Sequence, residues 1–185
     1  ILIFHEIVNE TLADKPILVS YCPLCGTAMI FDRKVGGKVR TFGVSGMLYQ
    51  SDVLMYDRED ESLWSQLKMQ AVSGPLSGTA LTLLPSAHLT WKAWKDKHPD
   101  GEVLSTDTGH NRNYGGRAYA RYFDSPETMF PVPAHRDELP KKDWIVGVIA
   151  DGKAVAFPVK DLATSRKATH EGVTISYDPT SRLAT

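Results

Sequence analysis

The sequence predicts a β-rich α+β fold in which mostly antiparallel strands form a sheet or barrel, with a few short helices. Short apolar runs bounded by turn residues recur along the chain, and such runs are typical of strands. Gly36-Gly37 and Asp151-Gly152 stand between such runs and predict hairpin turns. Two segments near the chain ends also resemble each other, which predicts two related hairpin units within a single domain of 185 residues.

The first half of the chain is predicted to be a helix followed by strands. Residues 1–12 place apolar side chains at helical spacing, with His5, Glu6 and Asn9 on the more polar side. Residues 42–48 form an apolar run that glycines interrupt, so we expect a β-bulge there. Strands are expected at residues 16–21, 28–31, 39–42 and 53–58.

The second half is predicted to alternate helices, irregular chain and strands. Ser86 can cap a helix over residues 87–97. Residues 107–140 are rich in Gly, Pro, Asn, Asp and Tyr, so we expect a long irregular region that lies over the core. A hairpin at residues 144–157, a helix at 159–168 and a strand at 173–177 are expected to follow.

Composition and charge exclude several classes of function. With 42% hydrophobic residues, the chain can bury a core. Its formal net charge of −1 provides no basic field for nucleic acid or an anionic membrane, so the expected partner is an unknown protein or a small molecule. No apolar run approaches the ~20 residues of a membrane-spanning helix. Because Ile1 begins what looks like mid-domain sequence, we expect the protein to extend beyond both ends of it.

Both cysteines lie in one motif, Tyr21-Cys22-Pro23-Leu24-Cys25-Gly26, between two predicted strands. The proline fixes one backbone angle, and the glycine supplies a conformation that other residues resist. The turn therefore has the form of a zinc knuckle, with both thiolates on one side. A complete zinc ribbon has a second such pair, which this chain lacks. Any metal would need its other ligands from His, Met, a carboxylate or water.

Three interpretations of the cysteine pair stay open at this stage. The first is a soft-metal site for zinc or copper. The second is a redox-active dithiol, although a strand after the motif lacks the helix dipole that lowers a thiol pKa in thioredoxin-like proteins. The third is a non-catalytic interaction module with a structural disulfide or two inert thiols. The sequence does not decide whether the protein is an enzyme.

The last residues of the chain repeat the sequence around the cysteines. Residues 175–184, ISYDPTSRLA, align with residues 19–28, VSYCPLCGTA, at a constant offset, because Tyr177 follows Tyr21 by 156 positions. A predicted helix precedes each segment, so residues 1–33 and about 157–185 are predicted to be related units. Asp178 and Ser181 stand where Cys22 and Cys25 stand. A turn that forms without cysteine leaves the thiols free for a purpose other than folding.

His5 is the candidate third metal ligand, because one short segment separates it from the cysteine strand. Glu6 beside it is a candidate oxygen ligand or base. Met29, Met47 and Met55 would suit copper(I), but methionine in strands usually packs in a core. The candidate lining of a pocket next to the cysteines is a polar and aromatic group that consists of Glu6, Tyr56, Asp57, Arg58, Trp64 and Gln66.

Five motifs occur in a fixed order along the first third of the chain. They are HEIVN (5–9), YCPLCG (21–26), FGVSG (42–46), MYDR (55–58) and SLWSQ (62–66). Together they resemble an uncharacterised bacterial and archaeal domain-of-unknown-function family, and the resemblance covers most of the chain. Members commonly look exported or membrane-anchored, so it implies a periplasmic or extracellular location, with any anchor outside the printed sequence. It implies no established activity.

Overall fold

Antiparallel pairing dominates the computed structural model, which describes residues 1–133 and 137–185. The chain forms two compact units. The first consists of Ile1–Ser86 and the segment that begins at Leu104, and the second of Ala87–Val103 and the segment from Asp137 to Thr185. The predicted β-rich α+β class is confirmed, and each sheet among the described residues is open rather than closed on itself. The expectation of one domain over residues 1–185 stays a prediction.

The first unit opens with one helical turn and a three-stranded sheet. The elements are α1 (Leu2–His5), β1 (Ile7–Leu12), β2 (Lys15–Cys22) and β3 (Thr27–Asp32), and the strand order is β1-β2-β3. Leu18, Ser20 and Cys22 are buried at alternate positions of β2. This period of two is expected for a strand with one face on a core. It places the first cysteine on the buried face.

The predicted helix over residues 1–12 is wrong after its first turn. Glu6 ends α1 with a φ of 58°, in the left-handed region. From Ile7 onward the chain pairs with β2 as β1, for example Val8 with Val19. Apolar residues at positions 1, 3, 4, 7 and 8 suit a helix face, but the β-branched residues among them also suit a strand. Pairing with β2 decides the outcome.

A small hairpin and a four-stranded sheet follow. The hairpin joins β4 (Lys34–Val35) and β5 (Lys38–Val39), and the sheet has the order β6 (Phe42–Tyr49), β7 (Asp52–Asp57), β8 (Leu63–Ser65) and β9 (Gln70–Ser73). The hairpin turn predicted at Gly36-Gly37 is confirmed. The expected bulge is also confirmed, since the β6–β7 register shifts between Val44 and Leu48. Gln50 and Ser51, both with positive φ, form the tight turn that brings Asp52 to the start of β7.

One hydrophobic core packs β2 and β3 against the four-stranded sheet. Leu18 of β2, Phe31 of β3, and Met55 and Trp64 of the larger sheet have no exposed surface. Met29 packs against this cluster, so two of the three candidate copper ligands are core residues. The core therefore holds the end of β2, with Cys22, near the start of β7, with Asp52.

The returning segment of the first unit is mostly irregular, as predicted for residues 107–140, of which 107–133 and 137–140 are described. A five-residue helix, α3 (Ala120–Asp124), is an addition that the sequence did not predict. Tyr119 precedes α3 with a φ of 60°, and Tyr122 within it is buried. This helix brings aromatic side chains onto the cysteine turn.

The second unit contains the remaining elements. They are α2 (Trp91–Lys97), β10 (Ile145–Ala150), β11 (Lys153–Pro158), α4 (Val159–Ser165), β12 (Lys167–His170), β13 (Val173–Asp178) and β14 (Leu183–Ala184). The hairpin at Asp151-Gly152 is confirmed. α2 begins later than predicted because Thr90, rather than Ser86, caps it through the Ala93 N–H. None of the helices in the described parts of the chain is both long and apolar enough to cross a bilayer.

Candidate metal centre

The cysteine motif forms the turn between β2 and β3. Cys22 pairs with Thr27 across the ladder and leaves residues 23–26 as the loop. Gly26 closes this loop with a φ of 63°, which glycine adopts without steric cost. The Cys25 N–H points back at the Cys22 sulfur, at 3.4 Å. Such an amide-to-sulfur bond stabilises negative charge on that sulfur.

The two sulfur atoms are free thiols that lie 3.3 Å apart, within hydrogen-bonding distance of each other. Cys22 is only 1% exposed, whereas Cys25 is half-buried. A tetrahedral zinc ion about 2.3 Å from each sulfur would hold the two about 3.8 Å apart. A small rotation of the side chains would open that separation, so the pair is close to metal-binding geometry.

Asp52 is a third potential ligand, which sequence reasoning missed. One carboxylate oxygen, Oδ1, lies 3.7 Å from the Cys25 sulfur, and Oδ2 accepts the Leu67 N–H at 3.0 Å. The two sulfurs and a carboxylate oxygen of Asp52 all lie within 4.8 Å of one another. Asp52 is 1% exposed, although it opens the apolar run Val53-Leu54-Met55. A carboxylate at the head of a buried strand is the signal in the sequence that points to it.

The contact between the two sulfurs shifts the pKa values of the two thiols in opposite directions. The side-chain hydrogen bond with Cys25, together with the N–H groups of Cys25 and Val53, lowers the pKa of Cys22. The same bond, together with burial, raises the pKa of the Cys25 thiol. Burial also raises the pKa of the Asp52 carboxyl, against the N–H bonds of Leu67 and Val53. Three anions in this buried place repel one another, so a bound cation would stabilise the fully deprotonated cluster.

A turn of the same shape lies between β13 and β14 in the second unit. Its loop is residues 179–182, which corresponds to residues 23–26. The last loop residue is left-handed in both turns, with a φ of 61° at Arg182 and 63° at Gly26. The arginine adopts this conformation despite its side chain. The local likeness agrees with the predicted repeat, while a common origin of the two segments stays a prediction.

Hydrogen bonding within the second turn also matches the first. Asp178 Oδ2 accepts the Ser181 N–H at 3.3 Å and the Ser181 hydroxyl at 2.6 Å. In the first turn Cys22 Sγ accepts the Cys25 N–H and lies 3.3 Å from the Cys25 sulfur. The Ser181 hydroxyl, with the Thr180 and Ser181 amides, lowers the pKa of Asp178. The first position of this turn therefore stabilises an anion, whether a carboxylate or a thiolate.

His5, the third ligand predicted from the sequence, lies outside the Cys22–Cys25–Asp52 cluster. Its Nε2 hydrogen-bonds the Tyr114 hydroxyl, and its ring centroid is 5.3 Å from that of His110. Burial, followed by the charges of His110 and Arg112, lowers the pKa of His5. These contacts join His5 to the segment around residues 108–114, and the structure brings Asp52 to the thiols in its place.

Glu6 and two tyrosines surround the turn. The Glu6 carbonyl accepts an N–H of β2 at 2.7 Å, beside the cysteine end of that strand. The Tyr122 hydroxyl donates to the Leu24 carbonyl at 2.9 Å and so covers the loop. Burial, then the negative charges of Glu6 and Cys22, raise the pKa of Tyr119. Glu6 thus lies beside the strand that carries the cysteines, in company with tyrosines that the sequence did not reveal.

The family model described as "Protein of unknown function (DUF3179)" matches residues 1–184 of the chain. The chain belongs to this family. The resemblance seen in the sequence motifs is thereby confirmed at the level of the family. Comparison of the DUF3179 chain with curated proteins and with solved structures found no match.

Gln66 of this DUF3179 protein hydrogen-bonds both strands of the cysteine hairpin. It is fully buried, and its Nε2 donates to the Ser20 hydroxyl at 2.9 Å and to the Thr27 carbonyl at 3.2 Å. Ser20 in turn donates to the Met29 carbonyl. Gln66 therefore fixes the base of the turn and does not line an open pocket.

The other predicted pocket residues of the DUF3179 chain form a structural network. Asp57 and Trp64 are fully buried, and the carboxylate accepts from Trp64 Nε1 at 2.8 Å and from Arg40 Nη1 at 2.9 Å. The Arg58 guanidinium lies 5.3 Å from the centroid of the Tyr56 ring. These contacts link the side chains to one another within and beside the four-stranded sheet, which favours a role in stability.

Proposed function

We propose that this DUF3179 protein binds one zinc ion through Cys22, Cys25 and Asp52. The proposal rests on one observation. The two sulfurs of the cysteine turn and a carboxylate oxygen of Asp52, which is distant from them in the sequence, lie within 4.8 Å of one another. A mixed set of sulfur and oxygen suits Zn²⁺, whereas copper(I) prefers sulfur alone. Because Met55 is fully buried in the core, it is not available as a further soft ligand.

The second reason for proposing zinc is electrostatic. In the metal-free protein the two sulfurs lie 3.3 Å apart, and the raised pKa of Cys25 favours a proton on that thiol. A divalent cation replaces that proton and neutralises most of the charge on two thiolates and one carboxylate. The hydrogen bonds from Leu67 to Asp52 and from the Cys25 amide to Cys22 then orient the ligands from outside.

Three protein ligands leave one position of a tetrahedral zinc ion for water or another molecule. Open sites of this kind are typical of catalytic zinc, whereas structural zinc sites have four protein ligands. The Tyr119 hydroxyl senses the charges of both Glu6 and Cys22, which raise its pKa after burial. The arrangement therefore favours a site that binds or transforms a small molecule over a purely structural one.

Metal analysis of anaerobically purified protein tests the proposal. We expect about one zinc per chain, retained after dialysis, and none in a Cys22→Ser/Cys25→Ser variant. An Asp178→Asn/Ser181→Ala variant changes the matching turn of the second unit and serves as the control, which should keep its zinc. Wild-type protein that takes up neither zinc nor copper(I) when metal is added would contradict the proposal.

A dithiol that cycles with a disulfide is the second candidate. It is favoured by the 3.3 Å separation of the sulfurs. It is also favoured by the Asp52 carboxylate, whose Oδ1 lies 3.7 Å from the Cys25 sulfur and can accept the Cys25 proton. Oxidation by an external disulfide would remove two electrons and two protons and join the sulfurs. A redox titration should then give a reversible Cys22–Cys25 bond with a potential in the range of known oxidoreductases. A bond that resists strong reductant would count against this candidate.

We further propose that the protein works outside the cytoplasm, in the periplasm or at the cell surface. The resemblance of its motifs to exported and membrane-anchored proteins supports this setting. Fractionation of cells that express the full-length gene product tests it. Recovery of the protein from the cytoplasmic fraction alone would refute this location without bearing on the metal site.

A further inference from the structure

The second unit contains a cavity of about 370 Å³ beside the turn between β13 and β14. This volume lies within the range of small-molecule sites. Helix α2 forms one wall and the turn forms the other, and the residues that matter are Ala93, Trp94, Lys97 and His98 on the helix, with Ser181 and Leu183 opposite. The Thr90 N–H donates to the Ser181 carbonyl at 2.8 Å and fixes the two walls together.

Trp94 gives this cavity a rigid aromatic wall. Its ring stacks on Trp91 at a centroid distance of 5.3 Å, and the His98 ring lies 5.6 Å away. Gly101 packs so closely that an added Cβ would stand 2.5 Å from the Trp94 ring. A larger residue at position 101 would displace the indole. The aromatic surface is therefore set before any ligand arrives.

Among the residues that the structure describes, the side chains that line the cavity include Lys97 and no carboxylate. Lys97 has no ion-pair partner among residues 1–133 and 137–185. Lys92 on the same helix differs, because it pairs with Asp96. The nearest acidic group of the turn, Asp178, already accepts the hydroxyl and N–H of Ser181. Apolar side chains and one uncompensated cation therefore face the same space.

We propose that this cavity binds a small organic anion with a flat, apolar body, such as an aryl-alkyl carboxylate. The ring of the ligand would pack on Trp94 and Leu183, and its carboxylate would lie beside Lys97. A neutral molecule of the same shape would lose the attraction to the ammonium group, and a cationic one would be repelled. This site is separate from the zinc ligands and does not depend on them.

Three probes of one shape test the proposal. They are 3-phenylpropionate, its neutral amide and the corresponding amine, titrated into the intact protein while backbone amide shifts are recorded. We expect saturable shifts at residues 93–98 and 181–183, with the carboxylate binding about fivefold or more tightly than the amide and the amine binding weakest. Absence of saturable shifts there, or equal affinities of carboxylate and amide, would overturn the proposal.

Single substitutions distinguish the contribution of the Lys97 charge from that of the space in the cavity. Lys97→Met should bring the affinity of the carboxylate down to that of the amide, while Lys92→Met, the matched control on the same helix, should keep the preference. Ala93→Trp should fill the space and abolish binding of both probes in protein that still unfolds cooperatively. A preference for the carboxylate that survives in Lys97→Met would refute the role of this cation.

Discussion

Cys22 and Asp178 occupy the same position in two turns, and each accepts the N–H of the residue three places later and contacts the side chain of that residue. The second turn has this shape with no sulfur in it. Cysteine is therefore not required for the turn itself. The paired thiols of the first unit stand in a place where the backbone already stabilises negative charge, and their chemistry is available for ligand binding.

Moving the cysteine pair to the second turn should separate the effect of the turn from that of Asp52. We expect an Asp178→Cys/Ser181→Cys protein that also carries Cys22→Ser and Cys25→Ser to fold, because the transplanted residues accept and donate the same bonds. The new pair should form a disulfide on mild oxidation, seen as a loss of 2 Da by mass spectrometry. Zinc affinity should be far below that of the wild type, since the third ligand is missing. Wild-type affinity in this protein would show that Asp52 is dispensable.

Asp52→Asn should weaken zinc binding and stabilise the metal-free protein. Loss of a charged ligand should reduce the affinity at least tenfold, measured with a competing chelator. Because burial raises the pKa of Asp52 in the folded state, its carboxylate destabilises the metal-free fold above the unfolded pKa, and this penalty is absent at lower pH. The variant should therefore melt at a higher temperature than the wild type at pH 7 but not at pH 3. A lower melting temperature at pH 7 would contradict this account.

Zinc affinity should increase with pH. Both cysteines must lose their protons to bind, and Cys25, whose pKa is raised by its bond to Cys22 and by burial, is the one that holds a proton at neutral pH. Dissociation constants at pH 6, 7 and 8 in the same ionic strength would measure the effect. A Cys25→Ser variant should bind more weakly and lose most of the pH dependence. A flat profile in the wild type would argue against proton release from this thiol.

His5→Ala should leave zinc affinity within about twofold of the wild type. The His5 ring hydrogen-bonds Tyr114 and lies beside His110, outside the cluster of potential ligands. Isothermal titration of the two proteins with zinc would provide the comparison, with Cys22→Ser as the variant that must fail. A loss of tenfold or more in His5→Ala would restore His5 as a ligand.

Trp64→Phe should destabilise the protein by about 1–3 kcal/mol, because the buried Asp57 carboxylate loses the Trp64 N–H that it accepts at 2.8 Å. Chemical denaturation measures this cost. Trp144→Phe is the matched control, since Trp144 is 56% exposed and its change should stay within about 0.5 kcal/mol. Zinc content should be unchanged in both variants. Metal loss in folded Trp64→Phe protein would link this network to the site.

The features that the sequence predicted correctly depend on local turn chemistry. Gly36-Gly37 and Asp151-Gly152 form their hairpins because these residues adopt left-handed conformations that two-residue turns require. The helix predicted over residues 1–12 failed because its apolar spacing suits a strand as well. The spacing of the apolar residues does not reveal that β1 pairs with β2, because that pairing is a contact between two strands.

The candidate site could be predicted only in part. Cys22 and Cys25 adjoin each other within one turn, so the motif reveals them. Asp52 reaches them from the start of β7, because the core packs the two sheets of the first unit together. Tyr122 comes from a segment still further along the chain. No local sequence pattern predicts these contacts, because they arise from packing between strands and loops that are distant in the sequence.

The first unit is completed by chain that is synthesised after part of the second. The backbone leaves it at Ser86 and re-enters at Leu104, and the hydroxyl that covers the Leu24 carbonyl belongs to that late segment. A growing polypeptide on the ribosome therefore presents both thiols and Asp52 without their aromatic cover. The sulfurs are therefore most accessible to ions and oxidants before this late segment has been synthesised.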